Sequence, residues 1–128
     1  MKVVDSSAWL EYFADGPHAA AFAAAITRPQ DLVVPALTLY EVFKRVYQQR
    51  GERDALLTVA QMHQGLVVDL TADLAVSAAR HSLEIGLPMA DSIILATSRA
   101  YGATLWTQDA RFEGLAGVRF IPPATLPQ

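Results

Sequence analysis

The sequence predicts an α/β fold: a three-layer sandwich around a central, mainly parallel sheet of about five short strands. Three observations carry this. Short runs rich in Val, Leu and Ile recur along the chain, each too brief for a helix. Stretches of helical periodicity separate most of them. Gly, Pro, Ser, Thr and Asp sit at the joints, where caps and turns require them. Alternation of strand and helix at this length builds a parallel sheet covered by helices.

Taken in order, Lys2-Val3-Val4 is the first strand and ends at Asp5. Ser6 or Ser7 is the expected cap of a short helix through Trp9, Leu10, Tyr12 and Phe13. Asp15-Gly16-Pro17 breaks it, and an alanine-rich helix from His18 to Thr27 follows. Leu32-Val33-Val34 is the second strand, stopped by Pro35. A helix from Ala36 to Arg50 ends at Gly51, and another from Glu52 to Gln64 ends at Gly65. Leu66 to Leu70 is the third strand. Thr71 caps a helix from Ala72 to Ile85, terminated by Gly86, and Pro88 opens a helix from Met89 to Tyr101. Thr104 to Thr107 and Val118 to Ile121 complete the strands. No repeat and no long linker divides the chain, so residues 1–128 are expected to form one domain.

Bulk properties narrow the class. The absence of cysteine excludes a disulfide frame, a thiolate metal site and a cysteine nucleophile. The N-terminus has neither a basic cluster nor an apolar core of signal-peptide type. Its longest apolar stretch, Ala19 to Ile26, is too short to span a bilayer. Charged residues make up 18%, below the usual share of about 25%, which predicts a surface partly covered by a partner or second copy. The net charge of −3 argues against a generally basic nucleic-acid-binding surface, leaving room for a local strip.

Four acids stand out by position. Asp5 and Asp109 each follow a strand and could equally cap the turn after it. Glu41 lies inside an apolar helix, where an i,i+4 pair with Arg45 is the plain alternative. Asp91 stands in the first turn of a helix, favourable for its dipole, and leads directly into Ser92-Ile93-Ile94-Leu95-Ala96. Singly these decide nothing. Together, two strand ends, a helix start and a helix interior can converge on one edge of a sheet, outside the strands' carboxyl ends where ligands of parallel folds gather.

The ordered set Val4-Asp5-Ser6-Ser7, Leu39-Tyr40-Glu41-Val42, Met89-Ala90-Asp91-Ser92-Ile93-Ile94-Leu95-Ala96 and Thr107-Gln108-Asp109 resembles the PIN domain, specifically the VapC toxins of bacterial toxin–antitoxin pairs. The resemblance implies a cytoplasmic, metal-dependent endoribonuclease in which Asp5, Glu41, Asp91 and Asp109 hold Mg²⁺ or Mn²⁺. It assigns Thr107, with Ser6 or Ser7, to the hydroxyls that support the acids. It implies an RNA substrate, a cognate antitoxin that covers the acidic pocket, and a homodimer. An all-carboxylate set without cysteine or paired histidines suits hard Mg²⁺ better than zinc. In-line attack by metal-activated water would leave a 5′-phosphate and a 3′-hydroxyl.

Lys44, Arg45, Arg50 and Arg53 form the one notable basic concentration, either a solvated helix end or a contact for the RNA backbone. Trp9, Tyr12, Phe13, Tyr40, Phe43 and Tyr47 offer more aromatic surface than two small helices need, which predicts a protein partner. A PIN nuclease of RNA processing or decay is the nearest alternative, disfavoured by the chain's shortness. A phosphoacceptor receiver domain, with Asp69 as acceptor, fits poorly: Ser6 stands where it would need a second acid, and the only lysines are Lys2 and Lys44.

Overall fold

Five short apolar runs pair side by side in a computed structural model that describes residues 1–124; residues 125–128, the end of the predicted domain, lie outside that range. The strands are β1 (Lys2–Val4), β2 (Leu32–Pro35), β3 (Leu66–Val68), β4 (Thr104–Thr107) and β5 (Val118–Phe120). Their order is β3-β2-β1-β4-β5, and every pairing is parallel. Six α-helices connect or flank them: α1 (Ser6–Phe13), α2 (Ala19–Ile26), α3 (Ala36–Arg50), α4 (Glu52–Met62), α5 (Ala72–Ile85) and α6 (Met89–Ala100).

Each central strand is apolar at consecutive positions because both faces of the sheet are covered. Val4, Val34 and Trp106 point to one side and pack with Trp9, Phe22, Val42 and Met62 of α1 to α4. Val3, Val33 and Leu105 point to the other and pack with Leu74 of α5 and with Ile94 and Leu95 of α6. The period-two alternation of a strand thus feeds two separate cores, and the three layers follow from it.

Several boundaries differ from the sequence reading, each for a physical reason. Asp5, not Ser6 or Ser7, caps α1, its carboxylate accepting from the Ala8 N–H. The serines fall in the first turn, which frees their hydroxyls for other partners. β2 runs through Pro35 rather than stopping before it, because Pro35 still pairs with Val68 of β3 while its pairing with β1 has already ended. β3 ends at Val68 since its neighbour β2 ends opposite it, leaving Asp69 and Leu70 nothing to pair with. α4 stops at Met62 rather than Gln64, and α6 at Ala100 rather than Tyr101. The aromatic set also divides. Trp9 is fully inside the core, Tyr12 and Phe13 are half-buried against it, and Tyr40 and Tyr47 are exposed.

Chain direction reverses between β1 and β4. From β1 the chain moves outward to β2 and β3, whereas from β4 it moves the opposite way to β5. The connections that leave the carboxyl ends of β1 and β4 therefore diverge and open a crevice between them, the usual place for a ligand in a parallel sheet. Asp5 and Asp109 lie on those two connections.

Candidate active site

Asp5 is the innermost of the four acids, 3% exposed. Each of its oxygens has a fixed donor. Oδ1 accepts from Ser7 Oγ at 2.8 Å and from the Ala8 N–H at 3.1 Å; Oδ2 accepts from Thr107 Oγ1 at 2.8 Å. Burial pushes its carboxyl up from an ordinary value near 3.8 to about 6, against the pull of the three hydrogen bonds and with some help from the charge of Asp109.

Thr107 ties β1 to β4 at the site. Its hydroxyl donates to Asp5 and accepts from the Asp109 N–H at 2.9 Å, so it sets the strand-end carboxylate and the turn that carries Asp109. Asp109 in turn accepts from the Arg111 N–H, capping the 3₁₀ turn Ala110–Phe112. Asp91, in the first turn of α6, is also raised, first by partial burial and then by Asp109, and is pulled back by Arg111. That Asp109 acts on both Asp5 and Asp91 puts the three carboxylates in one electrostatic neighbourhood.

Glu41 enters from α3 by a different link. Its Oε1 accepts from Ser6 Oγ at 2.7 Å, which attaches it to the residue beside Asp5. The alternative i,i+4 pair with Arg45 does not form among the described residues. Arg111, which the sequence reading passed over, reaches Asp91 Oδ2 at 3.3 Å and Asp109 Oδ2 at 3.6 Å. Its guanidinium is 61% exposed, so the bridge is worth little in stability, yet it offsets the repulsion between the two acids. Its place two residues after Asp109 is the only sequence signal that could have found it.

Among the described residues no three acidic or histidine side chains stand close enough to share one ion as they lie. The donor chemistry nevertheless fits a hard divalent cation: all the candidate ligands are carboxylate oxygens, and two of the carboxyls are raised by burial and mutual repulsion, which such an ion would relieve.

The basic residues separate. Arg45 and Arg50 line a cleft of ≈ 570 Å³ that begins beside the acids. Lys44 instead lies over the Tyr40 ring, 5.6 Å from its centre, at the edge of an apolar groove on α3 and α4. Arg53 is exposed at the start of α4 and lines neither. Asp69, the acceptor required by a receiver-type reading, follows the edge strand β3, two strands from β1.

The family model described as PIN domain matches residues 2–118. No curated protein matches the sequence. Among solved structures, a toxin–antitoxin complex from Klebsiella pneumoniae is similar at a TM-score of 0.79 and 21% identity, covering 93% of this chain and 96% of that one. VapC20 of Mycobacterium tuberculosis, described as a sarcin–ricin-loop-cleaving toxin, matches at a TM-score of 0.68 and 20% identity, covering 81% and 85%. A DNA-bound VapBC from Salmonella typhimurium matches at 0.70 and 16% identity, covering 94% and 96%.

Proposed function

The chain belongs to the PIN domain family, and from that premise we propose that it is a divalent-metal-dependent endoribonuclease, the toxin of a toxin–antitoxin pair. The observation that supports this reading is a chain of links among the four acids: Thr107 joins Asp5 to the Asp109 backbone, Arg111 bridges Asp109 and Asp91, and Ser6, beside Asp5, donates to Glu41. The solved toxins that share the fold support the choice of toxin over an RNA-processing nuclease.

Asp5, Glu41, Asp91 and Asp109 are the residues assigned to hold Mg²⁺ or Mn²⁺. Such an ion, when bound, lowers the pKa of a coordinated water and offsets negative charge at the phosphate. The protein's own part is positional. Ser7, Thr107 and the Ala8 N–H hold Asp5 in one orientation, Ser6 holds Glu41, and Thr107 sets the turn that presents Asp109. A water oxygen attacks phosphorus and gives up a proton, the P–O3′ bond breaks, and the departing O3′ takes up a proton, so the products carry a 5′-phosphate and a 3′-hydroxyl.

A protein partner is part of the same proposal. The groove of Leu39, Tyr40, Phe43, Tyr47 and Val59 is almost wholly apolar, and Tyr40 and Tyr47 are exposed in it. A cognate antitoxin or the second copy of a homodimer would remove that surface from water. No helix of the described residues is long and apolar enough to cross a membrane.

End-group analysis of RNA cut by the purified protein tests the mechanism. Fragments that accept ligation at a 5′-phosphate and extension at a 3′-hydroxyl are the expected result. A 2′,3′-cyclic phosphate would contradict it, because that product comes from attack by the RNA's own 2′-hydroxyl.

A further inference from the structure

We propose that the ≈ 570 Å³ cleft between α1, α3 and α4 is a subsite for one unpaired nucleotide of the RNA, next to the scissile phosphate. The proposal rests on the nuclease reading above and adds to it a place where sequence is selected.

One end of the cleft adjoins Asp5 through Ser7. Ser7, whose hydroxyl holds Asp5, forms part of its wall, and so does Gln108, whose amide donates to the Ser7 carbonyl at 3.4 Å. α3 supplies a track leading away from the site. Glu41, Arg45 and Gln49 recur at intervals of four, so Arg45 and Gln49 stand about 6 and 12 Å along the helix from Glu41. Arg45 is thus placed for the phosphate following the one under attack, and Arg50 opens on the same cleft.

The interior suits a base. Its volume falls within the roughly 300–1,000 Å³ of small-ligand sites. Leu10, Phe13 and Leu57 give it an apolar wall, and Leu57 is 61% exposed, an apolar surface with no protein cover. Phe13 is the one aromatic in that wall, and single-stranded bases are usually held by stacking on aromatic side chains. Gln49 and Asp54 stand around it with donors and acceptors for a base edge. Glu11, the other acid in the lining, is already engaged with the His18 N–H. Two arginines against two acids make the cleft nearly neutral, suited to a base inside and a phosphate at the mouth.

The test uses the whole chain in two measurements. Backbone amide resonances are followed as AMP, CMP, GMP and UMP are added in the presence of a chelator, in the wild type and in Gln49→Ala/Leu57→Ser. Both substituted side chains are exposed, so the fold should survive. Separately, cut sites in a random RNA pool are mapped for both proteins with Mn²⁺. Shifts around Gln49, Leu57 and Gln108, an affinity about tenfold weaker in the variant, and loss of nucleotide preference at one position beside the cut are the expected results. A cleft silent to all four nucleotides overturns the proposal. So does a variant with unchanged cut-site preference. A wild type that cuts no RNA defeats the nuclease reading instead, while the nucleotide titration still decides the subsite.

Discussion

Asp5 ends β1, caps α1 and gives three hydrogen-bond donors a common acceptor, all while almost fully buried. Those demands conflict, since burial opposes the charge that the donors favour, and burial prevails: the carboxyl is raised to about 6. The folded protein then binds this proton more tightly than the unfolded chain does. Stability from that proton is present below about pH 4 and is lost as pH rises through about 6, so the charged carboxylate costs roughly 3 kcal/mol at neutral pH. Asp5→Asn keeps a capping side chain and removes the charge. Thermal melts of the metal-free protein should show the variant several degrees more stable at pH 7.5, and more stable by only about a third as much at pH 4.5. Equal melting at both values would mean that Asp5 is not strained by burial. At this scale Asp5, Asp91 and Asp109 were legible because each stands at the end or start of an apolar run, and Glu41 because it interrupts one. The bonds between them were not. Ser6 and Glu41 are 35 residues apart, and Arg111 and Asp91 are 20 apart, so no local pattern records either contact.

Helix and strand positions were legible where the signal is local and chemical. Thr71 caps α5 through the Leu74 N–H, and Gly86 ends that helix in the left-handed conformation, both as their residue types require. Strand ends were less so, because they depend on where a neighbouring strand stops, as β3 shows against β2. Gly65 was read as a helix terminator, and the structure gives it a second reason. A Cβ there would lie 2.9 Å from Val34 Cγ2 and 3.0 Å from the Leu32 carbonyl oxygen, so α4 can return to the sheet beside β2 only without a side chain. Gly65→Ala should therefore cost about 1–3 kcal/mol in urea unfolding through this overpacking. An unchanged midpoint would show that β2 and the turn into β3 yield without strain.

The molecule as a whole places its chemistry by topology. A mainly parallel three-layer sandwich was predicted, and the sheet is parallel throughout. Strand order was not legible, since five short apolar runs of similar character give no pairing preference of their own. That order decides where two of the acids fall: with β1 and β4 adjacent, Thr107 reaches Asp5 across 102 residues of chain, and the two diverging connections carry Asp5 and Asp109. The cleft along α3 and the apolar groove on α3 and α4 both lie on the α1–α4 side of the sheet. The measurement that tests this account most directly is cleavage of a structured RNA pool by the wild type and by Asp91→Asn, each with Mn²⁺ or Mg²⁺ and with a chelator. The account predicts cutting by the wild type alone, abolished by chelation and reduced more than about 100-fold by the substitution. Equal cutting by both proteins, or cutting that survives chelation, would contradict it.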